Sequence, residues 1–143
     1  MRDLIVRYFE ACNHGDVDAI AACFTPDAIH YFPPGMYGGS FRGGRAIGER
    51  WVRARQDLGS RWALERVAVD PELHTAVAEW THYKTRPGKA LRGDEWYEFD
   101  PDSGLISEIR AYYASPQAAD LDRLELAEFD YAGRGYSLEA PEE

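Results

Sequence analysis

A chain of 143 residues that is 45% hydrophobic and 13% aromatic is sized for one domain with one core and is too apolar to stay disordered. Its 16 basic and 25 acidic residues give a formal net charge of -9, which repels phosphate backbones and argues against nucleic acid or anionic membrane as partners. No run of about 18 apolar residues and no basic-then-apolar leader occurs, so a cytoplasmic protein is expected.

Along the chain, Leu4, Ile5, Tyr8, Phe9 and Cys12 recur with helical period, and His14-Gly15 closes this first helix. Asp16 reads as the N-cap of a second helix with Val17, Ile20, Ala21 and Phe24 inward, stopped by Pro26. A short extended run from Ala28 to Phe32 ends at Pro33-Pro34-Gly35, and residues 35–44 form a glycine-rich loop. That loop lacks the Lys-Ser/Thr ending of a phosphate cradle. Ile47, Trp51, Ala54 and Leu58 then mark a third helix.

After Gly59 the period falls to two. Strands are predicted over 61–69, 73–83, 92–99 and 105–113, separated by Asp70-Pro71, Arg86-Pro87-Gly88-Lys89 and Asp100-Pro101-Asp102-Ser103-Gly104. Helices first and then antiparallel strands on short turns predict an α+β fold: three N-terminal helices packed on a curved, mostly antiparallel sheet rolled into a cone. The domain is assigned to residues 1–115 and a C-terminal extension to 116–143. The extension is acidic and weakly helical from Gln117, and its aromatic piece from Phe129 to Tyr136 is either a lid or partner contact or a packed tail.

Cys12 and Cys23 fall at apolar helix positions and read as buried free thiols. Two isolated cysteines and four scattered histidines match no zinc spacing, and no cofactor is expected. No serine has the context of a nucleophile elbow.

The order of elements resembles the nuclear transport factor 2-like superfamily, which includes ketosteroid isomerase, limonene epoxide hydrolase, scytalone dehydratase and the SnoaL-type polyketide cyclases. The likeness runs over residues 4–114. It is carried by Arg7-Tyr8, Asn13-His14-Gly15-Asp16, Phe24-Thr25-Pro26-Asp27-Ala28, Gly43-Gly44-Arg45-Ala46-Ile47 and the run from Gly104 to Tyr113. The resemblance implies a cone whose open end admits a small ligand. It places Tyr8 and Glu95 at the two donors that hold the substrate oxygen in ketosteroid isomerase. The isomerase's general base falls on Phe32, which takes no proton. The Arg and two Asp of limonene epoxide hydrolase fall on Glu79, Thr81 and Ala111, so that activity is rejected. The SnoaL-type acid also falls on Ala111. The scaffold carries over, and only part of one member's site comes with it.

Strand alternation adds a second reading of the cup. If Glu95 faces in, so do Tyr97 and Phe99; if Phe32 does, so does His30. A one-residue error in register would exchange Glu95 for Asp94. The same parity sets Glu79, Thr81 and Tyr83 inward, with Trp51 or Met36 near the mouth. His30 is the candidate base, since its ordinary pKa near 6.5 suits proton exchange at neutral pH. Glu95 is the candidate acid, Tyr8 a donor to a substrate oxygen, and Glu79 the partner that orients His30. Phe32, Trp51, Tyr83, Tyr97 and Phe99 are the candidate substrate-binding residues. A His/Glu/Glu set from separate strands has no metal-ligand spacing, and no metal is expected.

The opposite sheet face would carry Trp80, His82, Trp96, Arg110 and Tyr112. Such an aromatic patch is costly to leave wet, and relatives pair through this face, so a homodimer is expected. Three functions follow: a cofactor-independent lyase, isomerase or cyclase acting on a small, largely apolar oxygenated substrate; a non-catalytic domain holding a small hydrophobic ligand; or an interaction module whose cup is filled by its own rings.

Overall fold

The structure is a computed structural model that describes residues 1–32, 37, 39–113, 123–124, 131–133 and 135–142. Met36, to which a mouth position was given, and residues 114–122 and 125–130, over which weak helical character was expected, lie outside that set.

Helix α1 (Arg2–His14) buries the periodic stripe Leu4, Ile5, Tyr8, Phe9 and Cys12. Gly15 ends it in the left-handed region at φ 75, where a β-carbon would be strained, and its N–H bonds back to Ala11 and Cys12 carbonyls. Helix α2 (Val17–Ala21) is capped as expected by Asp16, whose side chain accepts from the Ala19 N–H at 3.0 Å. Helix α3 (Gly44–Leu58) buries Ile47 and Trp51.

Strand β1 (Phe24–Tyr31) begins earlier than the sequence suggests. Phe24 belongs to it rather than to α2, and Pro26 sits inside it. The ladder between β1 and β6 shifts register between Phe24 and Ile29, and such an irregularity is where a residue without an N–H is tolerated. Strand β2 (Phe41–Arg42) is a two-residue piece of the glycine-rich loop that periodicity does not register. Strands β3 (Ser60–Asp70), β4 (Thr75–Lys84), β5 (Lys89–Phe99) and β6 (Ile106–Tyr113) follow the predicted runs closely. Strand β7 (Arg123–Leu124) pairs in parallel with Ala90 and Leu91 of β5, so this part of the extension is strand, not helix.

Along the path β2-β1-β6-β5-β4-β3 the pairs are antiparallel except β1–β6, which is parallel, and β7 joins β5 off that path, also in parallel. Register shifts within β3 and at the end of β5 bend these strands, and the curved sheet wraps around the helices. One apolar core fills the concave side, drawing Ile5, Tyr8, Ile47, Trp51, Trp62, Trp80, Tyr97 and Ile109 from helices and strands alike. No helix among the described residues is long and apolar enough to cross a membrane.

Tyr131, Tyr136 and Ser137 of the C-terminal extension pack on the convex side. Ser137 accepts from the Tyr83 hydroxyl at 2.9 Å and from Arg92 at 2.9 Å through its carbonyl, and its N–H donates to Glu65 at 3.2 Å. Tyr131 is buried with its ring 4.0 Å from the Arg92 guanidinium. The described residues of the aromatic piece, together with Ser137, are therefore a strap packed on the sheet.

Candidate functional site

Cross-strand register decides what the cup contains. Ala78 of β4 pairs with Glu95 of β5, and Glu95 pairs with Ala111 of β6. Two residues along, Trp80, Gly93 and Tyr113 form the next row on the same face. Gly93 is required there: a β-carbon would stand 2.9 Å from two atoms of the Trp80 ring and 2.2 Å from the Tyr112 carbonyl oxygen. The inward residues of β4 are thus Ala78, Trp80 and His82, not Glu79, Thr81 and Tyr83.

This corrects several expectations. Glu79 cannot orient His30, because it lies on the convex face, where the Tyr136 hydroxyl donates to it at 2.5 Å and Arg66 stands 3.9 Å away. Tyr83 is convex as well, buried under the strap rather than lining the cup. Trp80 and His82 leave the proposed dimer face: Trp80 is 2% exposed in the core, and His82 stacks on Trp62 with ring centres 4.7 Å apart. His82 also pairs with the Ser60 hydroxyl at 2.8 Å, and burial pushes its pKa down to about 3, with Lys84 adding to the shift. Trp96, Arg110 and Tyr112 do lie on the convex face. Trp96 and Tyr112 are 43% and 51% exposed, and Arg110 is held by Glu98 and Glu108.

The remaining candidates meet inside. His30, fully buried on β1, has its Nε2 3.3 Å from Glu95 Oε1, close enough for an ion pair but not aligned for a hydrogen bond. Its Nδ1 has no partner either, an unusual state for a buried polar atom. The Tyr97 hydroxyl donates to the other carboxylate oxygen, Glu95 Oε2, at 2.6 Å. Tyr8 receives the Trp51 indole N–H on its hydroxyl oxygen at 2.8 Å. Burial first, and then the neighbouring Cys12 and Glu95, push the Tyr8 pKa well above its ordinary value. Tyr97 is pushed up in the same way by burial and by Glu95. Both phenols therefore stay protonated and act as donors, not bases. Phe99 packs beside Tyr97 as core, with ring centres 6.4 Å apart.

Rings close the assembly. Phe32 stacks on His30 with centres 4.2 Å apart, and Tyr37, Phe41 and Trp51 pack around Phe32 at 4.9, 4.8 and 5.8 Å. The cavity left between Tyr8, Cys12, Trp51, Trp62, Trp80, Glu95 and Tyr113 has a volume of about 10 Å³. That is room for about one water. Sequence reasoning missed Cys12, Trp62, Trp80 and Tyr113 as walls of this cavity. The helical stripe through Tyr8 and Cys12 carried the signal for the first, and the register of β4 against β5 would have supplied Trp80. Among the described residues no cluster of His, Cys, Asp and Glu is placed to hold a metal ion.

Comparison with known proteins places this geometry. The profile of the SnoaL-like domain matches residues 5–109. A structure from Methylobium petroleophilum PM1, a protein of unknown function with a cystatin-like fold, is 52% identical with a TM-score of 0.80, covering 99% of this chain and 93% of that one. A putative polyketide cyclase from Sinorhizobium meliloti is 22% identical with a TM-score of 0.65, covering 78% and 95%. The epoxide hydrolase/cyclase-like enzyme SalBIII of pyran ring formation in salinomycin is 19% identical with a TM-score of 0.63, covering 78% and 88%. At those identities the last two show a shared fold. No curated protein matches the sequence.

Proposed function

We propose that this chain, which belongs to the SnoaL-like domain family, carries out acid–base chemistry on a small, largely apolar substrate bearing an oxygen function. The observation that carries the reading is the buried pair of His30 and Glu95, 3.3 Å apart, with Tyr97 and Tyr8 as protonated neighbours. A carboxylate and an imidazole in contact away from water can take a proton from one atom of a substrate and return it to another. Tyr8 would hold the substrate oxygen as charge develops on it. The result is an isomerisation, an elimination or a ring closure, in which protons move and no electrons are exchanged with a second reactant. The cyclase-type names among the structural neighbours lean the same way.

A second reading has its own observation. Among the described residues the cavity beside Glu95 has about 10 Å³ free and rings pack over His30, so a ligand reaching it must move Phe32, Tyr37 or Trp51. A domain that keeps its cup filled serves as a non-catalytic ligand-binding or interaction module. Phe32 and Ala111, which stand where relatives carry a base and an acid, favour this alternative. Deuterium exchange from D2O into a panel of cyclic ketones, enols and hydroxy compounds separates the two. Under the first reading Glu95→Gln and His30→Ala abolish exchange while ligand affinity stays broadly intact; exchange that survives both substitutions removes the proposed roles.

We also propose that a second copy covers the convex face. Tyr31, Arg110 and Trp96 line up across β1, β6 and β5 there, and Tyr31, Trp96 and Tyr112 are left 38%, 43% and 51% exposed. The strap covers the other half of that face, so Trp96, Arg110 and Tyr112 form the available surface.

A further inference from the structure

Five arginines among the described residues are buried or half-buried: Arg50, Arg55, Arg61, Arg92 and Arg110. Four have polar partners. Arg55 donates to the Asn13 carbonyl, Arg61 to the Ser60 carbonyl, Arg92 to Thr81 and Ser137 with Glu65 beside it, and Arg110 to Glu98 and Glu108. Arg50 stands apart. Its guanidinium lies over two ring faces, 5.5 Å from the centre of Tyr37 and 5.5 Å from that of Phe41, and among the described residues it bonds to no carboxylate or carbonyl.

Its position gives that isolation meaning. Arg50 immediately precedes Trp51 on α3, and Tyr37 and Phe41 are the rings that pack with Phe32 and Trp51 over His30. The guanidinium thus stands at the rim of the aromatic cluster that separates the His30–Glu95 pair from solvent. Stacking on rings covers the flat face of a guanidinium and leaves its N–H edge free, and that edge matches the two oxygens of a carboxylate. In a chain of net charge -9, a half-buried cation without an acidic partner is a local exception to the overall field.

We propose that Arg50 anchors a carboxylate carried by the molecule that enters the cup, so that the ligand class is a small unsaturated or alicyclic acid rather than a neutral apolar compound. The carboxylate would rest on the N–H edge at the rim, and the apolar body would replace the contacts that Tyr37 and Phe41 now make with Phe32 and Trp51. This inference rests on the reading that the cup admits a ligand.

Cinnamate and cinnamyl alcohol share one apolar body and differ in the anionic group, so they make a matched pair of probes. Each is titrated at pH 7.5 into the wild-type protein, Arg50→Met and Arg50→Lys, following the indole N–H resonance of Trp51. A charge-assisted pair is expected to make the acid bind about tenfold more tightly than the alcohol in the wild type. In Arg50→Met the ratio falls to about one while the alcohol binds as before, which also shows that the variant keeps its cup; Arg50→Lys retains part of the preference. A ratio near one in the wild type, or a preference that survives Arg50→Met, overturns the role of Arg50 and leaves the cup as a binding site. If neither probe moves the Trp51 resonance, the open-cup reading falls and this inference falls with it.

Discussion

Ala78 stands directly across from Glu95 in the β4–β5 ladder, and this pairing sends Glu79 to the far side of the sheet from His30, the residue it was expected to orient. The inner neighbours of Glu95 are instead Ala78, Ala111, and one row on, Trp80 and Tyr113. A small residue on either side leaves the carboxylate space to meet His30 from β1 and the Tyr97 hydroxyl from its own strand.

His82 ties the fold to pH. Its pKa is pushed down to about 3 by burial, with Lys84 contributing, while an unfolded histidine titrates near 6.5. Below pH 6.5 the unfolded chain binds a proton that the folded chain refuses. The contribution of this group is therefore complete above about 6.5 and declines as pH falls toward 3, by up to about 1.4 kcal/mol per pH unit. Urea unfolding at pH 7, 6, 5 and 4 measures the slope. A His82→Gln variant should be less sensitive to pH over this range; equal slopes for the two proteins would assign the acid sensitivity to other groups.

The strap rests on a buried ion pair. Arg92 and Glu65 side chains are 5% and 8% exposed, and both also bind Ser137. Arg92→Met strands Glu65 in a dry site, with an expected loss of roughly 3 kcal/mol in unfolding free energy. The same change at exposed Arg66, which lies 3.9 Å from Glu79, should cost less than about 0.5 kcal/mol. Limited proteolysis should cut the Arg92→Met protein within 131–142 before the wild type. Equal stability of the two variants would mean that the strap is held by other contacts.

The convex aromatic row predicts an oligomer. Light scattering should give a mass of twice the 16.2 kDa chain for the wild type and that of a single chain for Trp96→Asp, since a carboxylate at the centre of the patch must be desolvated to pair. A wild-type mass of one chain would rule out a dimer at the concentration used.

The fold was legible because its signals are local. The stripe through Tyr8 and Cys12, the cap at Asp16 and the breakers between strands each act over a few residues, and the helices and the four long strands appear where those signals put them. The faces of β4 were not legible, for two reasons. Alternation within one strand does not say which parity matches a neighbouring strand, because that depends on register. In β4 the alternation itself fades: Trp80, Thr81, His82 and Tyr83 are all buried, Trp80 and His82 in the core, Tyr83 against the strap and Thr81 against the Glu65 and Arg92 side chains. A strand covered on both faces reads as a continuous apolar run whatever its orientation. The strap could not be assigned to either side of the sheet, because Ser137 is held largely through its backbone, which the residue type does not encode. His30 and Glu95, by contrast, do face the concave side, the orientation that strand alternation and the resemblance together imply. The rings that close over them fall in loop and helix positions, where periodicity says nothing about the space they leave.

The most direct measurement is a crystal structure of the protein soaked with small oxygenated ring compounds. The account predicts that one of them displaces rings of the Phe32, Tyr37 and Phe41 cluster and lodges with its oxygen about 3 Å from the Tyr8 hydroxyl or the Glu95 carboxylate. Compounds bound only on the outer surface, with those rings still packed over His30 and the cavity still water-sized, would contradict it and leave a domain whose cup is filled by its own side chains.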